Sequence, residues 1–395
     1  MDLKGKTVIL GVSGSIAAYK TANLASALVK KGADVHVLMT ANAVNFINPI
    51  TFETLTSNKC ITDTFDRNFE FEVGHVSLAK KADVFLIAPA TANVIAKAAH
   101  GIADDMLTTT LLAARCPKLI APAMNTAMLE NDITQDNIKA LKKYGFEIIS
   151  PATGRLACGD TGAGKMPEPE ILLEHIISAL TPKDLKGKKI LVTAGPTRER
   201  IDPVRFVSNH SSGKMGYAIA EAAARRGADV TLISGPTGLP CPLNVNRIDI
   251  ESADEMADNV IRVAKTSDII IKAAAVADYR PATVAEQKIK KTGDDLCLQM
   301  ERTRDILKYL GSHKREGQFI CGFSMETENM IENTGKKLES KNVDLMVANN
   351  VKTEGAGFGC DTNVVTFITK DEVTELPIMS KADVADRLLD KISGK

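Results

Sequence analysis

Short runs of apolar residues alternate along this chain with longer segments whose apolar residues recur at helical spacing. In the first half these runs are bounded by glycine, proline and polar residues, which is typical of strands buried in a sheet. The predicted strands are Thr7–Leu10, Asp34–Met39, Val84–Ala88, Lys118–Ala121 and Phe146–Ile149. Helices are predicted between them, for example Ser15–Lys31 and Ile133–Tyr144. Such alternation predicts a parallel, doubly wound sheet that binds ligands at the carboxyl ends of its strands.

The second half of the chain repeats this alternation. Its predicted strands are Lys189–Ala194, Val230–Ser234, Asp268–Ala273, Phe319–Phe323 and Asp344–Ala348. Its predicted helices are Met215–Arg226, Ala253–Lys265, Arg302–Gly311 and Thr327–Ser340. An antiparallel pair is predicted over Val364–Thr369 and Glu372–Pro377, before a last helix that begins at Lys381.

The chain also opens twice in the same way. Leu3-Lys4-Gly5-Lys6 and Leu185-Lys186-Gly187-Lys188 each precede an apolar strand that ends in a glycine turn. A strand followed by a glycine turn is how an α/β nucleotide-binding layer begins. A chain of 395 residues is also too long for one ordinary core. We therefore predict two α/β domains, residues 1–183 and 184–395, with residues 181–184 as the linker.

One glycine-rich segment, residues 151–167, interrupts the pattern of the first half. Glycine and proline are unfavourable inside both helices and strands, so we predict that this segment is neither. We interpret it as a mobile flap followed by a closing helix, Glu168–Leu180.

Composition excludes several classes of protein. Lysine plus arginine equals aspartate plus glutamate, at 49 each, so no overall field favours nucleic acid. No apolar run reaches the ~20 residues that a membrane helix needs, and the N-terminus has no signal-peptide pattern. We therefore expect a cytoplasmic protein with no membrane or nucleic-acid partner. The seven cysteines form no C-x-x-C pair, which argues against a disulfide framework and a zinc site.

The first glycine turn favours a mononucleotide. Gly11, Ser13, Gly14 and Ser15 lie between a strand and a helix, where backbone amides and helix polarity favour an anion. The turn lacks the G-x-G-x-x-G fingerprint, and Thr40 stands where a dinucleotide fold would place a carboxylate. Hydroxyl groups suit a terminal phosphate, so FMN fits better than NAD.

Other polar residues follow the later strands of the same half. Ala90, Thr91 and Asn93 follow the third strand, and Met124 and Asn125 follow the fourth. His75 lies at the start of another helix. A lone histidine is more often structural than catalytic, and a lone asparagine more often caps a helix.

The second half carries a different set of polar loops. Residues 195–205 form a charged loop after a strand, and residues 208–216 lead into a helix. Lys214 is followed by Met215, so the spacing of a Walker-type phosphate loop is absent. Another strand ends in the segment from Ala273 to Asp278, and Lys288 and Lys290 follow it. Lys337 and Lys341 are four residues apart on a predicted helix. Each lysine group alone is also compatible with a solvated surface.

Together the motifs resemble a known family. GVSGSIAAYK, Gly74-His75, APATAN, PAMNTAM and GRLACGDTGAGKM resemble the flavin-dependent cysteine decarboxylases. The whole chain resembles the bacterial bifunctional phosphopantothenoylcysteine decarboxylase/phosphopantothenate–cysteine ligases of coenzyme A biosynthesis. The resemblance implies a flavodoxin-like flavoprotein domain followed by a Rossmann-like ligase domain, both α/β and mainly parallel.

For the first domain, the resemblance implies FMN-dependent decarboxylation. His75 would assist the oxidation and decarboxylation, Asn125 would hold the substrate carboxylate, and Cys158 would protonate the enethiol intermediate. Met124 would contact the substrate. The residues that would hold FMN are Gly11, Ser13, Gly14, Ser15, Thr40, Ala90, Thr91 and Asn93.

For the second domain, the resemblance implies that CTP with Mg²⁺ activates 4'-phosphopantothenate as an acyl-cytidylate, which L-cysteine then attacks. Asn209 would stabilise the acyl-cytidylate, Arg205 would lie in the substrate pocket, and Lys288 would neutralise charge on the phosphates. The other implied nucleotide contacts are Ala273, Ala274, Asp278, Arg304, Asp305, Ile306, Leu307, Phe323, Lys337 and Lys341. No metal ligand is assigned. The resemblance also implies a homo-oligomer, with trimeric decarboxylase contacts and dimeric ligase contacts.

Three other interpretations remain open at this point. A decarboxylase acting on a C-terminal cysteine of a peptide would share the first-half motifs but would leave the second half unexplained. A non-catalytic binding protein would be expected to lack His75, Asn125 or Cys158, and all three are present. A flavin prenyltransferase-like protein would need neither a cysteine flap nor a ligase partner.

Overall fold

A computed structural model of the chain describes residues 2–64, 74–155, 159, 161–291, 296–326, 330–350 and 359–394, without the side chains of residues 326 and 350. The chain divides into two compact units, Met1–Thr181 and Pro182–Lys395. Each has its own buried apolar core, and each is described by itself.

The N-terminal unit is built on a parallel five-stranded sheet in the order β2-β1-β3-β4-β5. Its strands are β1 (Thr7–Val12), β2 (Asp34–Met39), β3 (Val84–Ala90), β4 (Lys118–Pro122) and β5 (Glu147–Ile148). All seven residues of β3, the middle strand, are buried. Helices cover both faces of this sheet, as the strand–helix alternation predicts.

The helices of this unit bring the chain back to the start of each parallel strand. They are α1 (Ala18–Lys30), α2 (Pro49–Thr56), α3 (Gly74–Lys81), α4 (Ala92–His100), α5 (Met106–Ala113), α6 (Thr126–Glu130), α7 (Asp132–Lys143) and α8 (Pro169–Leu180). Helix α1 begins three residues later than predicted. The backbone turns first, since the Ser15 N–H donates to the Ser13 carbonyl at 2.9 Å.

The prediction that residues 151–167 contain no strand is wrong. Strands β6 (Ala152–Arg155) and β7 (Thr161–Lys165) pair antiparallel as a hairpin. Glycine is unfavourable in most strands because it offers no side chain to pack. Here two glycines instead allow β7 to approach a neighbouring loop closely, as described below.

The C-terminal unit contains an eight-stranded sheet in the order β12-β11-β8-β13-β16-β17-β19-β20. The first six strands are parallel to one another. Strand β19 pairs antiparallel with β17, and β20 pairs antiparallel with β19. These strands are β8 (Lys189–Ala194), β11 (Asp229–Ser234), β12 (Val245–Asp249), β13 (Ile269–Lys272), β16 (Phe319–Glu326), β17 (Leu345–Asn350), β19 (Val365–Ile368) and β20 (Val373–Glu375). The predicted late antiparallel pair is therefore confirmed.

Three small antiparallel pairs accompany this sheet. They are β9 (Arg198–Arg200) with β10 (Phe206–Ser208), β14 (Tyr279–Pro281) with β15 (Met300–Arg302), and β18 (Thr362–Asn363) with β21 (Met379–Ser380). The helices are α9 (Lys214–Arg225), α10 (Ala253–Ala264), α11 (Ile306–Ser312), α12 (Met330–Lys341) and α13 (Lys381–Ser393).

The predicted helix Arg302–Gly311 begins too early. Arg302 pairs with Tyr279 in the β14–β15 ladder, and Asp305 then caps α11 by accepting a hydrogen bond from the Lys308 N–H at 2.9 Å. The two α/β units with mainly parallel sheets confirm the predicted fold class. Within the described residues, no helix has the length and apolar character needed to cross a membrane.

Candidate functional sites

Loops converge at the carboxyl edge of the N-terminal sheet. The Ser13 hydroxyl donates to the Pro89 carbonyl at 2.7 Å and accepts from the Thr91 N–H at 3.0 Å. Ser13 is only 1% exposed. It therefore joins the loop after β1 to the loop after β3, and its hydroxyl shapes the site rather than projecting from it.

The Gly11–Ser15 turn is shaped by close contacts. A Cβ on Gly14 would lie 2.7 Å from the Cβ of Asn42, so this position has no room for a side chain. Among the described residues, the N–H groups of Gly14 and Ile16 have no acceptor. Two free backbone donors ahead of α1 are the kind of group that binds a phosphate.

The other predicted FMN contacts differ in what they can offer. Ala90 is fully buried and Gly11 packs against Leu107, so both contribute shape. Thr40 is buried at the end of β2. Thr91 caps α4 by accepting from the Val94 N–H at 3.5 Å. Asn93 is exposed at the start of α4.

The β6–β7 hairpin docks on the loop that carries Asn125. The Met124 N–H donates to the Gly164 carbonyl at 3.1 Å, and the Thr126 hydroxyl donates to the Ala163 carbonyl at 2.7 Å. Added Cβ atoms on Gly162 and Gly164 would lie 2.4 and 2.2 Å from Thr126 Oγ1 and the Met124 carbonyl oxygen, respectively. The glycines are therefore what permits this docking.

Two predicted catalytic residues of this unit, Asn125 and His75, begin helices of the sheet's carboxyl side. Asn125 is half-buried and caps α6, accepting from the Ala127 N–H at 2.9 Å. His75 is half-buried at the second position of α3. Because α3 leads back to the start of β3, its first turn lies toward the edge where the parallel strands end. Cys158 falls between the two hairpin strands and lies outside the described residues.

A buried lysine anchors the chain where it leaves the hairpin. Lys20 on α1 is 5% exposed, and its ammonium group donates to the Met166 carbonyl at 3.1 Å and to the Glu168 carboxylate at 2.8 Å. The hydrogen bond from Lys20 lowers the pKa of Glu168. Lys20 therefore links the helix that follows the first glycine turn to the end of the hairpin.

We expect Lys20→Met to weaken this link without emptying the buried space. A lost hydrogen bond to a charged group costs about 1.5–3 kcal/mol, so the thermal transition of the N-terminal unit should fall by several degrees. Calorimetry of the full chain measures this. Lys139→Met is the matched control, because the Lys139–Asp136 pair is more than two-thirds exposed and should contribute little. Equal transitions for the two variants would contradict an anchoring role for Lys20.

The C-terminal unit contains a cavity of about 540 Å³ at the carboxyl ends of β13 and β16. It brings together nine of the predicted nucleotide contacts: Ala274, Asp278, Arg304, Asp305, Ile306, Leu307, Phe323, Lys337 and Lys341. Lys337 and Lys341 do lie on one helix, α12, as predicted.

Charge at the rim of this larger cavity is largely paired. Lys341 donates to the Asp305 carboxylate, and Arg304 contacts Asp254 at 3.2 Å. Partial burial raises the pKa of Asp305, but the hydrogen bonds from Lys341 and the Lys308 N–H, together with the charges of both lysines, lower the pKa overall. Asp305 therefore keeps its negative charge beside the lysines of α12.

A second, smaller cavity of about 270 Å³ adjoins the first. It is lined by the turn before α9, including Ser211 and Lys214, and by Asn209. The Asn209 amide donates to the Ala275 carbonyl at 3.1 Å. Ala274 and Phe323 line both cavities, so the two cavities share a wall.

Sequence reasoning missed several lining residues. Lys272 lines the larger cavity, and Lys214, Asn349, Asn363 and Lys381 line the smaller one. A signal for Lys272 was present, since a lysine directly after three isoleucines is unusual in a buried strand. The two asparagines come from distant segments and gave no such signal.

Two predicted residues line neither cavity within the described part of the chain. Arg205 binds the buried Asp202, with its Nε atom 2.9 Å from the carboxylate, and also donates to the Ile289 carbonyl at 2.8 Å. This guanidinium and nearby backbone N–H groups hold the pKa of Asp202 well below its usual range. Arg205 therefore fixes the segment that carries Lys288, which is itself exposed.

Comparisons with known proteins agree with the division into two α/β units. Residues 1–181 match the family model described as Flavoprotein, and residues 185–395 match that described as DNA/pantothenate metabolism flavoprotein C-terminal domain. The coenzyme A biosynthesis bifunctional protein CoaBC of Bacillus subtilis (strain 168) is 49% identical over 397 residues, 99% of this chain and 98% of that protein. The protein of the same name from Escherichia coli (strain K12) is 44% identical over 396 residues, with the same coverage.

A solved structure of the C-terminal domain of a CoaBC protein is also similar. It is 47% identical and covers 54% of this chain and 97% of its own, with a TM-score of 0.47. The fold and the family models define a two-unit flavoprotein. The chain belongs to the family of bifunctional coenzyme A biosynthesis proteins, CoaBC, which confirms the resemblance found in the sequence.

Proposed function

We propose that this chain catalyses two consecutive steps of coenzyme A biosynthesis. The C-terminal unit ligates L-cysteine to 4'-phosphopantothenate with CTP, through an acyl-cytidylate. The N-terminal unit then decarboxylates the product to 4'-phosphopantetheine with FMN. The pair of adjoining cavities that share Ala274 and Phe323 carries the ligase proposal, because ligation must bring a nucleotide and a carboxylate together.

In the ligase unit, the larger cavity suits the nucleotide and the smaller one suits the pantothenate end of the acyl-cytidylate. Asn209 lies on the smaller cavity, where its amide can hold the activated carbonyl. Lys337 and Lys341 stand at the rim of the larger cavity and can neutralise phosphate oxygens. Lys288 lies in the segment that Arg205 holds through the Ile289 carbonyl. It does not line the larger cavity in the described structure, so it would approach the phosphates from outside.

The residues present also fit Mg²⁺ bound with CTP. Asp278 and Asp305 both line the larger cavity, and carboxylate oxygens together with substrate phosphates are the usual ligands of this ion. When bound, Mg²⁺ would supply charge neutralisation for the departing pyrophosphate.

The N-terminal unit fits FMN. The N–H groups of Gly14 and Ile16 are available to a terminal phosphate. Because Gly14 has no side chain, the loop can lie close to Asn42. When bound, FMN supplies reversible two-electron oxidation of the substrate thiol, which provides an electron sink for decarboxylation.

The remaining roles in this unit belong to the protein's own side chains. Asn125 would hold the substrate carboxylate, and Met124 would contact the substrate from the same loop. His75 would assist proton transfer at the edge of the sheet. The hairpin would close over the substrate and exclude water, with Cys158 as the proton donor to the enethiol.

Exposed apolar side chains support a homo-oligomer for the N-terminal unit. Ile16, Tyr19, Phe46 and Ile50 follow the first two strands and are between 49% and 59% exposed. Exposed apolar side chains of this size are available for a contact between subunits. We propose trimeric contacts for this unit and dimeric contacts for the ligase unit.

One experiment tests both activities. Purified full-length protein is given 4'-phosphopantothenate, cysteine, Mg²⁺ and one nucleotide at a time, while pyrophosphate and carbon dioxide are measured. The absorbance spectrum is recorded first. We expect a flavin spectrum and release of both products with CTP. Pyrophosphate without carbon dioxide would contradict the decarboxylase, and release of neither product would contradict both activities.

A further inference from the structure

The larger cavity of the ligase unit contains a buried cation that the proposed nucleotide contacts do not include. Lys272 is the last residue of β13 and follows three buried isoleucines. It is 8% exposed, yet it lines the cavity. Its ammonium group therefore belongs to the inner wall of the site.

Lys272 differs from the other basic residues of this cavity. Arg302, Arg304 and Lys337 are exposed, and Lys341 is paired with Asp305. Among the residues that the structure describes, none accepts a hydrogen bond from Lys272 and none forms an ion pair with it. The cavity thus combines paired or solvated cations at its rim with one unpartnered cation inside.

An unpartnered ammonium group is unfavourable in such a place. Burial lowers the pKa of Lys272 to about 8, while the charge of Asp305 acts in the opposite direction. Because Lys272 lines the cavity and is largely buried, a ligand bound there can supply the acceptor that the described residues do not.

We propose that Lys272 is a further nucleotide-binding residue, whose side chain donates a hydrogen bond to an oxygen atom of the ligand at the buried end of the cavity. The inference rests on the proposed nucleotide site of this unit. A base carbonyl and a phosphate both supply such an oxygen, and the ligands used in the test distinguish them.

The test compares full-length wild-type protein with Lys272→Met by isothermal titration calorimetry. Methionine keeps an unbranched side chain one atom shorter than lysine and removes the charge and the donor. We expect CTP to bind about 10- to 100-fold more weakly, the usual effect of a lost hydrogen bond to a charged group. The unfolding temperature should be unchanged or higher, because no buried charge remains. Lys265→Met, an exposed lysine at the end of α10, is the matched control.

Two further ligands identify the oxygen atom. If Lys272 contacts the base, cytidine will also bind more weakly to the variant, whereas inorganic triphosphate will not. If it contacts a phosphate, inorganic triphosphate will show the loss and cytidine will not. Lys272→Gln, which keeps a neutral donor, should bind CTP with intermediate affinity and gives a second comparison should Lys272→Met be unstable.

The outcomes separate this inference from the proposed function. If both Lys272 variants bind CTP as tightly as the wild-type protein, the inference is overturned and the proposed nucleotide site still stands. Failure of the wild-type protein to bind CTP would overturn the nucleotide site itself, and the role of Lys272 with it.

Discussion

Gly164→Ala is expected to remove most of the decarboxylase activity while the same chain continues to ligate cysteine. The φ angle of Gly164 is 129°, which side-chain-bearing residues rarely adopt, and the new Cβ would lie 2.2 Å from the Met124 carbonyl oxygen. Strand β7 must therefore move away from the Asn125 loop. A displacement of about 1 Å in an active site can cost ~10²-fold in rate.

Carbon dioxide release from 4'-phosphopantothenoylcysteine measures this effect, and pyrophosphate release measures the ligase as an internal reference. Gly154→Ala is the matched control in the same hairpin. Gly154 pairs with Gly162 across the hairpin, but its added Cβ would meet nothing closer than Lys165 Cδ at 4.0 Å. Equal decarboxylation by the two variants would show that the docking of β7 is not required.

Lys288→Met should produce the second large effect, in the ligase unit. Lys288 is exposed and makes no hydrogen bond with the described residues, so the unfolding temperature should not change. The loss of one positive charge at developing phosphate charge typically costs ~10²–10³ in rate. We therefore expect kcat for pyrophosphate release to fall by that factor, with a smaller change in KM for CTP.

Steady-state kinetics at varied CTP measures both constants. Lys291→Met removes a charge from the same exposed segment and should leave the rate within a few-fold of the wild type. A wild-type rate for Lys288→Met would exclude it from the reaction. Comparable losses in both lysine variants would instead point to a general attraction of the segment for CTP.

The fold was largely predictable because its parallel strands are buried on both faces. Such strands appear in the sequence as short apolar runs, and β2, β8 and the N-terminal part of β3 lie where these runs predict. Strand β12 was missed, since Val245–Asp249 lies at the edge of its sheet and only partly buries its side chains. Edge strands carry a weaker apolar pattern because solvent reaches one side of them.

The hairpin shows where local composition misleads. Its glycines indicated a segment without strands, yet Gly162 and Gly164 serve a contact with Met124 and Thr126 that lies far away in the sequence. Local propensity contains no information about such a contact. The same holds for Arg205, whose partner Asp202 is near in sequence but whose bond to Ile289 depends on the folded unit.

The residues predicted to contact the nucleotide lie together more clearly than those predicted to contact FMN, since most of them line one cavity. Its contacts lie in a few contiguous segments that end strands or begin helices, so the order of elements already brings them together. The sequence marks Lys272 as unusual after three isoleucines, but only the folded unit shows that it lines the cavity without a partner among the described residues.

The wall that the two ligase cavities share also bears on how much CTP the proposed ligase would consume for each amide formed. In the reaction proposed above, an acyl-cytidylate would form where the two cavities meet at Ala274 and Phe323, so it would not have to move before cysteine attacks. A smaller side chain at Phe323 would open this shared wall and admit more water. The ratio of pyrophosphate released to amide formed, which should be one in the wild type, would then rise as hydrolysis diverts the activated acid.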